Sequence, residues 1–153
     1  MTNDELFTPG FDRLRASLTR LGRPVPADLP GWYDRLKLRG GSGSGEEGDR
    51  CSLQEVRALE GLNPSTYEVP DTDSYVCGRS LIRLQDAIKD DDARKRLCGP
   101  LVCRLPGSKG SAAVEDRRMW MGVDHAIRVG APMWLELEPA FAEHAAKLRA
   151  LPE

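Results

Sequence analysis

Arg94-Lys95-Arg96-Leu97-Cys98-Gly99-Pro100-Leu101-Val102-Cys103-Arg104-Leu105-Pro106-Gly107-Ser108 opens the stretch that decides the fold. After a short loop it continues with Glu115-Asp116-Arg117-Arg118, Asp124-His125-Ala126-Ile127-Arg128 and Ala131-Pro132-Met133-Trp134-Leu135. Just before it, Asp90-Asp91-Asp92 places three acidic groups where a helix dipole favours them, at a helix start. That helix carries Leu97 and is expected to end near Gly99-Pro100, with Leu101, Val102 and Leu105 in a short apolar extension. Pro106 to Ser111 reads as an exposed turn. The next helix is predicted over Ala112–Val129. In it Asp116, Trp120, Val123 and Ile127 recur at three- and four-residue steps, and Met119 and Ala126 widen the stripe. Gly130 and Pro132 should break it. A last helix, Pro139–Ala150, presents Phe141, Ala145 and Leu148 on one side.

Working back toward the N-terminus, the same period continues. Phe11, Leu14, Leu18 and Leu21 share a helix face, and Gly22, Pro24 and Pro26 end that helix. A short second helix is expected over Gly31–Leu38, bringing Trp32, Leu36 and Tyr33 against the first. Gly40-Gly41-Ser42-Gly43-Ser44-Gly45 then has the composition of a flexible linker. Ser52, with Glu55 three residues on, reads as a capping box, and Gly61 closes the helix it starts. Residues 63–73 read as irregular loop, and Ser74–Ile88 as helix with Leu81, Leu84 and Ile88 buried. No segment alternates as a strand does. The fold class is therefore all-α, a compact bundle of about five to seven short helices with long loops. Three segments are expected: an N-terminal helical pair (1–39), the Gly/Ser-rich linker (40–50) and a main helical domain (51–153).

Composition narrows function mainly by exclusion. The chain has 153 residues, 22 basic and 24 acidic, and the charges are nearly balanced in every third of it. No block is basic enough to track a phosphate backbone, which argues against nucleic acid. Residues 1–20 contain Asp4, Glu5 and Asp12 and lack a leader's apolar run. No stretch approaches the roughly 20 apolar residues of a membrane span. A cytoplasmic location is expected, with Cys51, Cys77, Cys98 and Cys103 as thiols.

No residue pattern names a chemistry. Cys98 and Cys103 have four residues between them, unlike the tight pairs of a zinc site, and His125 and His144 stand alone. Cys51 precedes a helix start, where a thiolate gains from the dipole, so an enzyme using Cys51 with His125 or Asp124 is one alternative. Cysteine as a small apolar side chain on helix faces is the plainer reading. Asp124 and Arg128, four apart, suit an ion pair, as do Glu143 and Lys147. Asp124 borders the apolar stripe and could instead meet Arg117 or Arg118 at a helix contact. Asp124, Arg128, Arg117, Trp120 and Trp134 are thus expected to be structural. Gly40–Gly45 lacks the Lys-Ser/Thr of a phosphate loop.

From Cys51 onward the chain resembles a family of small bacterial and phage proteins with no established activity. The family pattern runs from a Cys-x-x-Glu helix start through an Asp-His-Pro and Cys-x-Cys-Pro loop and an Arg-Pro-Leu-Ile-Pro-Arg-Leu segment. It then passes through a Glu-x-Arg-Arg helix with Asp-Trp-x-x-Arg and a Pro-Ala-Trp-Leu to a closing Leu-Arg-Ala-Leu-Pro. Cys51, Gly61, Cys77, Gly99–Ser108, Glu115, Arg117, Arg118, Asp124, Arg128, Pro132, Trp134, Leu135 and Leu148–Pro152 resemble that pattern, over roughly two thirds of the chain. Gln54 stands where the family's glutamate would, one residue before Glu55. Read physically, the family loop implies a metal or polar cluster. Here Thr72 replaces the histidine and Tyr75 the first paired cysteine, so the implied ligands shrink to Cys51, Cys77, Asp71 and Asp73, with Glu55 beside them. The cofactor implied there is a zinc or iron ion; otherwise none is expected.

The leading expectation is a non-enzymatic interaction or regulatory module with a protein partner or self-association. A degenerate metal or redox site at Cys51/Cys77 and the Cys51 enzyme are the alternatives.

Overall fold

The N-terminal helices form as their apolar spacing requires. The computed structural model describes residues 9–152. Asp4 and Glu5, read above against a leader, lie outside the described residues, as does Glu153. Helix α1 (Phe11–Arg20) buries Leu14 and Leu18, and α2 (Leu29–Arg35) starts on Asp28, whose side chain accepts from Gly31 N at 2.8 Å. That cap explains why α2 begins earlier than the expected Gly31–Leu38, and the helix ends earlier too, with Leu36 already extended at ψ 124°. Helices α3 (Ser52–Leu59), α4 (Tyr75–Ala87) and α5 (Asp91–Arg104) pack on one another, and α1 packs on α5. The fold is all-α; among the described residues there is no strand, only an isolated bridge between Leu38 and Arg50.

The chain divides into two compact units between Gly110 and Ser111, not at residues 40–50. The Gly/Ser segment is a tied loop of the first unit, and its flexible-linker reading is corrected. Gly43 N donates to Gln54 Oε1 and Gln54 Nε2 returns a bond to Gly43 O, both at 2.9 Å. Gly41 N donates to Asp86 Oδ1 at 2.9 Å, and Arg50 Nε to Gly45 O at 2.7 Å. Arg39 N meets Arg50 O at 2.9 Å, closing the loop's neck. Such a loop is compact because its ends are close and its backbone groups find partners.

Two helix ends also differ from expectation. The capping box at α3 lies one residue earlier: Cys51 is the N-cap, and Gln54 Oε1 accepts from Cys51 N at 2.9 Å. Gly61, at φ 67°, ends α3 as expected. Helix α5 does not stop at Gly99-Pro100 but runs through Pro100 to Arg104. Gly99 is there for packing, since a Cβ on it would lie 2.7 Å from Tyr33 Oη. The ring of Tyr33 sits against a bare turn of α5, and burial pushes its phenol up to about 12.

The first unit's core is Leu14, Leu18, Leu29, Leu36, Leu38, Cys51, Leu53, Val56, Leu59, Leu81, Cys98, Val102, Cys103 and Leu105. Arg94, 5% exposed, fastens this core to the end of α4. Its guanidinium donates to Leu38 O at 3.0 Å, to Gln85 O and Lys89 O at 3.3 Å, and to Ile88 O. Ile88 O and Lys89 O lie at the C-terminal end of α4, where helical donors run out, and a cation suits the negative end of the helix dipole.

In the second unit, α6 (Ala112–His125) passes through a π-turn (Ala126–Gly130) into α7 (Ala131–Leu135). Gly130 and Pro132 therefore bend the path without ending it. A 3-10 turn (Pro139–Phe141) leads to α8 (Ala142–Arg149), which packs on α7. Among its described helical residues the unit buries only Pro132 and Ala145.

Candidate functional site

The polar groups that the fold buries gather around α3. Its short sequence places Gln54, Glu55 and Glu60 among apolar neighbours, and each is tied to a different segment. Glu55 Oε1 accepts from Trp32 Nε1 at 3.0 Å, and Arg50 lies 3.4 Å from Oε2. Gln54 holds the 40–50 loop. Gln85 on α4 accepts from Ser52 N. Each bond links α3 to another segment of the chain, so the set organises the first unit.

Glu60 differs because its neighbour is another acid. Glu60 is fully buried and Asp73 is 3% exposed. Thr72 Oγ1 donates to Glu60 Oε2 at 2.8 Å, and Gly107 N donates to Asp73 Oδ1 at 2.7 Å. The remaining oxygens, Glu60 Oε1 and Asp73 Oδ2, are buried with no donor to accept from. Two carboxylates cannot bond each other, but a carboxyl and a carboxylate can. Desolvation, then the adjacent Glu60 charge and a hydrogen bond to it, push Asp73 upward to about 8. The pair therefore shares a proton at neutral pH. Around it, Ser74 N donates to Ser108 Oγ at 3.0 Å and Lys109 N to Thr72 O at 3.1 Å, so the 72–74 and 107–109 segments are stitched together.

Three of the four cysteines lie in the first unit's core. Cys51, Cys98 and Cys103 are buried; desolvation pushes Cys98 up to about 11, Cys103 to about 12, and Cys51 in the same direction. Protonated thiols are poor nucleophiles and poor ligands. Cys77 is half-buried on α4, Asp71 is exposed and Asp73 is engaged with Glu60 and Gly107. Among the described residues, no group of three or more His, Cys, Asp or Glu side chains could hold a metal ion. Cys51 lies in the first unit, and Asp124 and His125 lie in the second.

A cleft of about 640 Å³ is lined by residues 36–40, Gly48, Asp49, Asp91, Asp92, Arg94 and Lys95. Several of its charged groups are already engaged: Arg39 meets Asp49 at 2.6 Å, Arg94 pairs with Asp91, and Lys95 donates to Asp34 O at 2.7 Å. No family model, no curated protein and no solved structure matches the chain.

The second unit has the opposite character. Of the fifteen exposed large hydrophobics among the described residues, twelve lie between 111 and 152. Trp134 is 76% exposed, Leu137 68%, Trp120 64% and Met121 63%. Helix α6 buries no residue, although Met119, Trp120, Val123 and Ile127 share a stripe along it and into the π-turn. Asp124 pairs with Arg128, not with Arg117 or Arg118; Arg128 also donates to Leu151 O and Pro152 O. Arg118 meets Glu115 at 2.6 Å, and Lys147 meets Glu143 at 2.8 Å. The ion pairs stabilise the unit's helices and leave its apolar side chains at the surface. The stripe was legible from periodicity, but its exposure was not.

Among the described residues, no helix is long and apolar enough to cross a membrane.

Proposed function

We propose that this protein is a non-enzymatic interaction or regulatory module, with residues 111–152 as the contact surface. The observation that carries the reading is the concentration of exposed large hydrophobics in that segment. Apolar patches of this extent on soluble chains mark protein or membrane contacts more often than bare surface. Exposed tryptophans are the residues most enriched among binding hot spots. The near-balanced charge of residues 113–153, five basic and seven acidic, favours a protein partner over nucleic acid or an anionic membrane. The protonated, buried thiols fit a structural role for the cysteines in a reducing, cytoplasmic setting. The resemblance to small bacterial and phage proteins belongs to the same reading and rests on the Gly99–Ser108 and Glu115–Leu135 segments.

The test is site-specific photo-crosslinking in cells. A photoreactive residue in place of Trp120 or Trp134 should give discrete protein adducts, while one in place of Arg79, exposed on α4, should not. Absence of adducts at both tryptophan positions would overturn the reading.

A further inference from the structure

We infer that the depression between α1 and the 105–108 turn binds a phosphate group, free or as an ester, through the guanidiniums of Arg13 and Arg20. The site lies wholly in the first unit and does not depend on the reading of residues 111–152.

Helix α1 supplies one wall through its spacing. Arg13, Ala16, Ser17 and Arg20 stand at i, i+3, i+4 and i+7, so they share one face, while Leu14 and Leu18 take the buried side. Ala16 and Ser17 are small, so the middle of the shared face is low and an arginine stands at each end. About 10 Å of helix separates the two arginines, a gap that their long side chains can close on an ion between them.

The turn supplies the other wall. Leu105-Pro106-Gly107-Ser108 closes with Ser108 N donating to Leu105 O at 2.9 Å, and Gly107 takes φ 66°, as the third position of a type II turn requires. Gly107 N donates to Asp73 Oδ1 and Ser108 Oγ accepts from Ser74 N, so the turn is held independently of α1. Arg20 Nη2 donates to Gly107 O at 2.9 Å. A Cβ on Gly107 would lie 2.8 Å from that nitrogen, so the bare turn is what lets the guanidinium approach. One bond positions Arg20 and leaves its other donors for a ligand.

Charge selects the guest. The cavity, about 360 Å³, is lined by Arg13, Ala16, Ser17, Arg20, Gly107 and Ser108, with no acid among them. By contrast, the cleft beside Arg94 has Asp49, Asp91 and Asp92, and one beside Trp32 has Glu47 and Glu55. Among the described residues neither Arg13 nor Arg20 has a carboxylate partner. Two uncompensated guanidiniums match the charge of about −1.5 to −2 on a phosphate monoester at neutral pH, and their planar forks fit its oxygens. A single carboxylate would balance only one of them. The volume, at the small end of ligand pockets, admits a phosphate with a small group attached.

The experiment is calorimetric titration of the full chain near neutral pH with inorganic phosphate and, separately, with glycerol phosphate, each against sodium chloride of equal ionic strength. Saturable binding with a Kd of about 1 mM or tighter is expected for at least one probe. Arg13→Gln should weaken it at least about tenfold. Ala16→Glu, which puts an acid on the cavity floor with a good helix former, should abolish it. Arg15→Gln removes the same charge from α1 outside the cavity and should leave Kd within about twofold. All three positions are exposed, so circular dichroism should show wild-type helix content in each variant. Tighter binding of glycerol phosphate assigns the site to a phosphate ester, and tighter binding of inorganic phosphate to the free ion; either supports the inference. No saturable binding of either probe, or equal weakening by Arg13→Gln and Arg15→Gln, would overturn it.

Discussion

Replacing Asp73 with asparagine should remove a pH dependence that the wild-type chain carries between mildly acidic and mildly alkaline solution. In the folded protein Asp73 is pushed up to about 8 from an ordinary 3.8, by burial and by Glu60. The unfolded chain has released that proton well below neutral pH, so folding takes one up. A raised folded value means stability is fully present below the unfolded value, falls as pH rises, and stops falling near the folded value. Each pH unit in that window costs about 1.4 kcal/mol. Between pH 6 and pH 8, allowing for partial titration near the upper end, the loss is about 2 kcal/mol. For a unit of this size that is roughly 10 °C in Tm. Both histidines, His125 and His144, lie in the second unit, so they do not supply the same signal in the first.

An asparagine at this position keeps the shape of a protonated Asp73. Its oxygen can still accept from Gly107 N, and its amide can donate to Glu60 Oε1. The Asp73→Asn variant should therefore match wild type near pH 6 and exceed it by about 2 kcal/mol near pH 8. The assay is urea unfolding followed at Trp32, in a background where Trp120 and Trp134 are replaced by phenylalanine, so that the first unit is read alone. Flat wild-type stability across this range, or an equal slope in the variant, would show that the two carboxyls do not share a proton.

Two further outcomes follow from the first unit's packing. Gln54→Ala leaves the Cys51 and Gly43 amides without their acceptor, a loss of about 1–3 kcal/mol; amide exchange should accelerate across residues 40–50 and much less in α5. Gly99→Ala places a methyl where Tyr33 Oη lies 2.7 Å from the ideal Cβ; the ring must move, at about 1–3 kcal/mol, seen as a lower Tm. Pairing that change with Tyr33→Leu should recover part of the loss, and no recovery would mean that the clash is not the cause.

Local chemistry carried much of the fold. Asp90 caps α5 by accepting from Ala93 N at 2.7 Å, and Ser74 caps α4 through Cys77 N at 3.3 Å. The apolar periods of α1 and α4 put Leu14, Leu18 and Leu81 inside. The misread positions share a cause: their partners are far away in sequence. Gly99-Pro100 looks like a stop until Tyr33 is known to lie against it. The 40–50 segment looks like a linker because composition reports chain entropy and not the acceptors on Gln54 and Asp86. The Glu60–Asp73 pair leaves no mark in the sequence, since two carboxyls on either side of an irregular loop are ordinary until both are buried.

The α6 stripe sets a different kind of limit. Periodicity says that Trp120, Val123 and Ile127 share a side, and it says so equally for a helix in a core and for one at an interface. What separates the two cases is supply. The first unit closes its core with its own leucines, whereas the second has only the short α7 and α8 and buries Pro132 and Ala145. A segment that leaves Trp120, Trp134, Met121, Met133 and Leu137 each at least 60% exposed has more apolar surface than its fold can use. The excess is what a contact surface requires, and it is the ground on which residues 111–152 are proposed as one.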